Sequence, residues 1–185
     1  MIQLVLLHSL ARVFPDRELP LSCKKTKGSM LKNEVYSFQL AYCGGEGCGN
    51  IGVQVKLDHD LGKAVSWRAV ECVPCDFTMY PHYHEGLEHP EPGLFPDILR
   101  PGVRPLWVLE NQWRSLWITV DGSKKSVKPG KHKITLELTD GKISERAVFT
   151  LDVLDKKLPK QSLICTNWIH TDCLCHYYRT EFNSE

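Results

Sequence analysis

Apolar side chains recur at every second position through most of this chain, and that period commits it to half-buried strands. In 34–42, Tyr36, Phe38, Leu40 and Tyr42 share one face; in 51–57, Ile51, Val53, Val55 and Leu57 do the same. Leu116, Ile118 and Val120 alternate with Trp117, Thr119 and Asp121. Ile134, Leu136 and Leu138, then Ala147, Phe149, Leu151 and Val153, close the series. The opening Ile2-Gln3-Leu4-Val5-Leu6-Leu7-His8 has no basic start and no small-residue cleavage site, so it reads as a strand and not as an export signal. No run before residue 160 has a helical period.

The punctuation between these runs is that of sheet turns. Asp140-Gly141 reads as a two-residue hairpin turn, because Gly accepts the positive φ such turns need. Pro129-Gly130 carries a type II signal, and the glycine-rich 44–50 separates another pair of strands. Eight or so short strands joined this way predict an all-β fold, an antiparallel β-sandwich of the immunoglobulin-like kind. With 185 residues, one well-filled core is the natural outcome.

Charge narrows the partners. Lys+Arg 23 against Asp+Glu 22 leaves +1, too balanced for a dedicated nucleic-acid or anionic-membrane binder. No apolar run is long enough to span a bilayer. The 8 cysteines are too sparse for a disulfide scaffold, and without an export signal they are expected as reduced thiols in a cytoplasmic protein.

Two stretches break the pattern. Six prolines in 81–105, with His82, His84 and His89 among them, suggest a long ordered excursion over the surface. After Leu154 comes a charged connector, Asp155-Lys156-Lys157-Leu158-Pro159-Lys160, and beyond it the texture changes. A short apolar strand at 162–166, a polar turn and a helix are the opening of an α/β unit. The expected division is therefore a sandwich over 1–157, then a linker with the first strand and helix of a barrel over 158–185.

Four segments in order carry a resemblance. They are Val13-Phe14-Pro15-Asp16; Pro92-Gly93-Leu94-Phe95-Pro96-Asp97-Ile98-Leu99; Gln112-Trp113-Arg114-Ser115-Leu116-Trp117-Ile118-Thr119-Val120 leading to Lys128-Pro129-Gly130-Lys131-His132; and Leu158-Pro159 followed by Thr166-Asn167-Trp168-Ile169-His170-Thr171-Asp172. Together they resemble the N-terminal half of glycoside hydrolase family 123 and the related domain-of-unknown-function 4091 group. The resemblance implies a β-sandwich preceding a (β/α) catalytic barrel, with the 166–172 run at the first barrel strand. It also implies that this chain stops where the barrel begins.

Family 123 chemistry, as the resemblance implies it, is retaining, substrate-assisted hydrolysis of a terminal N-acetylgalactosamine. The sugar acetamido group attacks, oriented by an Asp that neighbours a Glu general acid. Such chemistry needs one charged and one protonated carboxyl group at the same glycosidic bond. This sequence contains no Asp-Glu dipeptide, so no catalytic residue is carried over. Trp168, His170 and Asp172 become substrate-pocket candidates of a full-length protein, because residues beyond barrel strands line active sites. The plainer reading is that Trp168 packs and Asp172 caps the following helix.

Other groups have a bland and a sharp reading. Cys43, Cys48, Cys72 and Cys75 imitate a four-thiolate zinc site, yet Cys72 and Cys75 lie on an extended run where positions three apart face opposite sides. His82, His84, Glu85, Glu88 and His89 form a weaker metal candidate, and the plainer reading is surface-loop histidines. Cys173 and Cys175, two apart on a helix, make no redox motif. Lys124, Lys125, Lys128, Lys131 and Lys133 surround a turn and read as a solvated loop. Of Trp67, Trp107, Trp113 and Trp117, the last lies on the polar phase of its strand and is the sugar-stacking candidate. No cofactor is expected.

Three functions follow in order. The first is a non-catalytic domain bracing a barrel of the same protein; the second is an independent carbohydrate- or protein-binding sandwich; the third is a small zinc protein. Exposed apolar residues in 162–178 add an expectation of self-association.

Overall fold

The computed structural model describes residues 1–76, 91–160, 162–164, 166 and 171–181, with the backbone alone for 173 and 174. Ten strands are described: β1 (Ile2–His8), β2 (Lys27–Lys32), β3 (Val35–Gly44), β4 (Ile51–Asp58), β5 (Val65–Cys75), β6 (Gly93–Arg100), β7 (Leu106–Val108), β8 (Arg114–Asp121), β9 (Gly130–Thr139) and β10 (Ser144–Lys157). A short helix α1 covers Asp172–Tyr178. The strands make two five-stranded sheets, ordered β1-β3-β8-β5-β6 and β2-β10-β9-β4-β7. The fold is all-β and sandwich-like, as the period of two requires.

The alternating residues meet where expected. Phe38, Leu40 and Tyr42 of β3 and Leu116, Ile118 and Val120 of β8 point inward from one sheet, while Ile134, Leu136 and Leu138 of β9 and Phe149, Leu151 and Val153 of β10 point inward from the other. These side chains are nearly or wholly buried. Burying each stabilises by roughly 1.5–3 kcal/mol relative to leaving it in water.

Four details differ from the sequence reading. The sandwich is not wholly antiparallel, because β10 runs parallel to β2 from Thr150↔Lys27 to Leu154↔Leu31. The chain crosses between sheets after β1, so β2 comes alongside β10 in the same direction. The Asp140-Gly141 hairpin is also longer than two residues. The β9–β10 register ends at Thr139↔Ser144, leaving four residues between the strands. Asp140 Oδ1 accepts the amides of Lys142 (2.7 Å) and Ile143 (2.6 Å), and Gly141 takes φ 95°. The Asp140 amide also donates to the Ile143 carbonyl at 3.2 Å, so side-chain and backbone bonds close the turn together.

Within the proline-rich stretch, 93–100 is strand β6, paired with β5 from Ala69↔Arg100 to Cys75↔Gly93. Pro96 is tolerated because β6 is an edge strand, where a missing N–H costs no ladder bond on the outer side. Finally, the strand expected at 162–166 does not form: its described residues carry no strand, and Leu163 and Ile164 are 80% and 87% exposed.

Candidate functional site

The groove that contains the sugar-stacking candidate lies on the outer face of the β1-β3-β8-β5-β6 sheet. Residues opposite the core phase face outward here: Leu7 on β1, Gln39 and Ala41 on β3, Ser115 and Trp117 on β8, Arg68 and Val70 on β5. Residues 9–20 fold back over part of that face. Leu7, Ala11, Val13, Leu19 and Ala41 make a second buried cluster, with Val5, Cys23 and Trp113 packed against it. The cover explains why β3 is buried on both faces.

Gln39 fastens the cover. It is 3% exposed, its Nε2 donates to the carbonyls of Ser9 (2.9 Å) and Ala11 (2.7 Å), and Ser115 Oγ donates to its Oε1 at 2.9 Å. A buried carboxamide with its donors and acceptor occupied is a rigid fastener. Beside it a groove of about 310 Å³ is lined by Leu10, Arg12, Gln39, Val70, Leu99 and Trp117, among others. Trp117 is half-buried in this groove, between Gln39 and Arg68 in register on the neighbouring strands. Trp117 shares the groove lining with apolar Val70 and Leu99 and with polar Arg12 and Asp97, and an indole in such company can stack on a flat apolar ligand face.

Segments of the resemblance meet on this side. Phe14 contacts Phe95 edge-to-face at 5.6 Å, and just outside these two segments Arg17 pairs with Glu91 at 2.6 Å. Trp113 packs into the cluster that contains Val13. The sequence alone could not show that three separated segments share a surface.

The remaining tryptophans have other settings. Trp67 packs against the inter-sheet core, and Trp107 on β7 is 54% exposed. Trp168 and His170 lie outside the described residues, as do His82, His84, Glu85, Glu88 and His89. Asp172 is exposed in the first turn of α1. The position ahead of it, Thr171, makes no side-chain capping bond, so Asp172 is a first-turn residue and not the cap.

The cysteines are dispersed. β5 stays extended through Pro74, pairing Cys72 with Pro96 and Cys75 with Gly93. Burial pushes the thiols of Cys43 and Cys72 up, away from the thiolate that binds metal or attacks. Cys43 Sγ instead donates to the Gly44 carbonyl at 3.3 Å. Among the described residues, no three His, Cys, Asp or Glu side chains are placed to hold a metal ion. Cys23, Cys43, Cys48, Cys72 and Cys175 are not in disulfides.

Two polar pairs escaped the sequence reading. His132, 7% exposed, reaches Asp60 through Nδ1 (2.8 Å) and the Lys128 carbonyl through Nε2 (2.8 Å). The hydrogen bond from His132 holds the Asp60 carboxyl below its usual range. Glu110 accepts the amides of Gly47 (2.9 Å) and Gly49 (2.8 Å), which lower its pKa and fasten the loop after β3. Gly47 and Gly49 have φ of 73° and 65°, which aims both amides at one anion. In the lysine group, Lys124 pairs with Asp121 at 3.2 Å, and all five lysines are exposed.

No protein-family model matches the chain, and no curated protein matches it in sequence. Solved structures do match. A family 123 glycoside hydrolase from Clostridium perfringens, described in work on glycolipid glycan hydrolysis, superposes with a TM-score of 0.63 at 12% identity. The likeness is one of fold. It covers 86% of this chain and 28% of the hydrolase. The described part of the chain is thus like one portion of a larger enzyme. No helix among the described residues is long and apolar enough to cross a membrane.

Proposed function

We propose that this chain is a non-catalytic β-sandwich domain of a glycoside-hydrolase-like protein, bracing a catalytic barrel and shaping its substrate entrance. The observation that carries the reading is the fold likeness to a portion of a family 123 hydrolase. The contacts of Phe14 with Phe95 and of Trp113 with the cluster of Val13 agree with it, because a bracing face should collect the segments such proteins share, here 13–16, 92–99 and 112–120. On this reading residues 1–157 are the brace, 158–185 the linker and first barrel elements, and Trp168, His170 and Asp172 are substrate-pocket candidates of the longer protein. The protein works in the cytoplasm with reduced thiols. The test is the reading frame following Glu185. A (β/α) region of about 250 residues with an adjacent Asp-Glu pair supports the brace; a stop codon there overturns it.

A second reading is an independent glycan-binding sandwich, and the half-buried Trp117 in its groove favours it. A glycan array separates the two, because a pure brace gives a blank. If glycans bind, Trp117→Ala should abolish the signal. The zinc reading is third, and metal analysis of the purified protein decides it.

A further inference from the structure

Strand β4 changes neighbours along its length. Over 54–58 it pairs with β9, from Gln54↔Thr139 to Asp58↔Thr135. With β7 it pairs only over 51–53, from Ile51↔Val108 to Val53↔Leu106. β4 lies between these two strands, so its 54–58 stretch has no strand on the β7 side among the described residues. Pro105, just before Leu106, has no N–H to carry that ladder on, and its ring lies against Gly52. Backbone N–H and C=O groups point alternately to the two sides of a strand, so this edge offers donors and acceptors to an added strand.

The space between the sheets opens beside the same edge. A slot of about 460 Å³, a usual size for ligand clefts, is lined by Val53, Val55, Trp67, Val103, Arg104 and Pro105, among others. Val55 and Leu57 turn toward the core and are only partly buried, while Gln54, Lys56 and Asp58 are exposed on the other face. Arg104, where the slot meets the start of β7, is exposed, and among the described residues it pairs with no carboxylate.

Direction and charge select the occupant. A strand continuing the line of β7 runs antiparallel to β4, as β7 does, and its last residue arrives opposite Val55, just short of Pro105. A C-terminal carboxylate there lies beside the Arg104 guanidinium, whereas a strand of the opposite sense brings an ammonium group to it. The last and third-last residues fall opposite Val55 and Leu57, with their side chains toward the slot. The second-last falls opposite Lys56 and the fourth-last opposite Asp58, which favours an acid and a base in turn.

We propose that this edge docks the C-terminal end of a partner protein, an extended peptide whose last residues are basic, apolar, acidic and apolar, with its terminal carboxylate held by Arg104. Docking satisfies the main-chain groups along 54–58 and fills the slot with the two apolar side chains. It goes beyond the bracing reading and does not rest on it.

The test titrates the full chain into fluorescein-labelled Gly-Lys-Val-Glu-Val and follows polarisation, with the peptide once as the free acid and once as the C-terminal amide. The acid should bind, and binding should weaken about tenfold for the amide and about tenfold for Arg104→Gln, because each removes one charge-assisted contact. Arg104 is exposed, so the variant should fold unchanged. Exchanging the Lys and Glu of the peptide should also weaken binding. Amide exchange should show 54–58 gaining protection when the acid peptide is added. No binding of the acid overturns the proposal. So does equal binding of acid and amide, which leaves the carboxylate unread, or indifference to the Lys–Glu exchange, which removes the register. Binding with 54–58 unprotected places the peptide elsewhere and overturns it. Protection of 54–58 that rises with protein concentration in the absence of peptide means that a second copy fills the edge, and overturns it as well. None of these results bears on the reading frame after Glu185, so the two proposals fail separately.

Discussion

The ring of Phe38, on β3 of one sheet, stacks on that of Phe149, on β10 of the other, with centroids 3.9 Å apart and planes 9° apart. Tyr36 leans on Phe149 from the next inward position at 5.9 Å. The two sheets are thus pinned by one aromatic column in a core whose other large members are mainly aliphatic.

Removing the middle of that column should be costly. Phe149 is fully buried, and Phe149→Ala leaves a cavity between sheets that cannot easily collapse. A loss of about 3–5 kcal/mol is expected in urea unfolding. A loss under about 1 kcal/mol would mean that the column does not pin the sheets.

Gly122 tests a backbone approach. A Cβ there would meet the Glu34 carbonyl oxygen at 2.6 Å and Met30 Cε at 2.6 Å. The methionine can swing away, but the backbone of the turn between β2 and β3 cannot. Gly122→Ala should therefore destabilise by roughly 1–3 kcal/mol, measured by thermal unfolding.

Gln39→Leu should release the cover over the outer face. The substitution removes both bonds to the Ser9 and Ala11 carbonyls and leaves Ser115 Oγ without its acceptor. A cost of about 1–3 kcal/mol is expected. Amide exchange should show the loss of protection concentrated in 9–20, with β9 and β10 unchanged.

Acid should unfold the protein from the carboxylate side. Asp60, Glu110, Asp121, Glu137, Asp140 and Asp155 all have folded-state pKa values lowered, each first by a hydrogen bond. Groups lowered on folding contribute stability above their unfolded pKa values, and lose it as pH falls through the folded ones. The urea midpoint should hold near neutrality and fall below about pH 4. Glu110→Gln should flatten part of that fall and speed amide exchange in the 44–50 loop.

Thiol titration of the unfolded, unreduced protein should return close to the 8 cysteines of the chain. A count near zero would mean disulfides, and the proposal of a cytoplasmic location would fall with them.

The residue pattern determined the strands and the inward faces of most of them. Phe38, Leu40, Leu116, Ile118, Leu136 and Phe149 are all buried as their period of two demands, because a strand has only two faces and only one could serve this core. The helix after 171 was legible as well. What the pattern could not hold is everything set by distant neighbours. Gln39 looks like an outward polar residue, and is buried only because residues 9–20 return across β3. β6 hid behind its prolines, since an edge strand tolerates what a central one cannot. The strand expected at 162–166 has the right composition, yet its described residues carry no strand, because a strand exists only through the hydrogen bonds of another. Local chemistry decides what a segment is able to form; which segments find partners is decided by the folded chain alone.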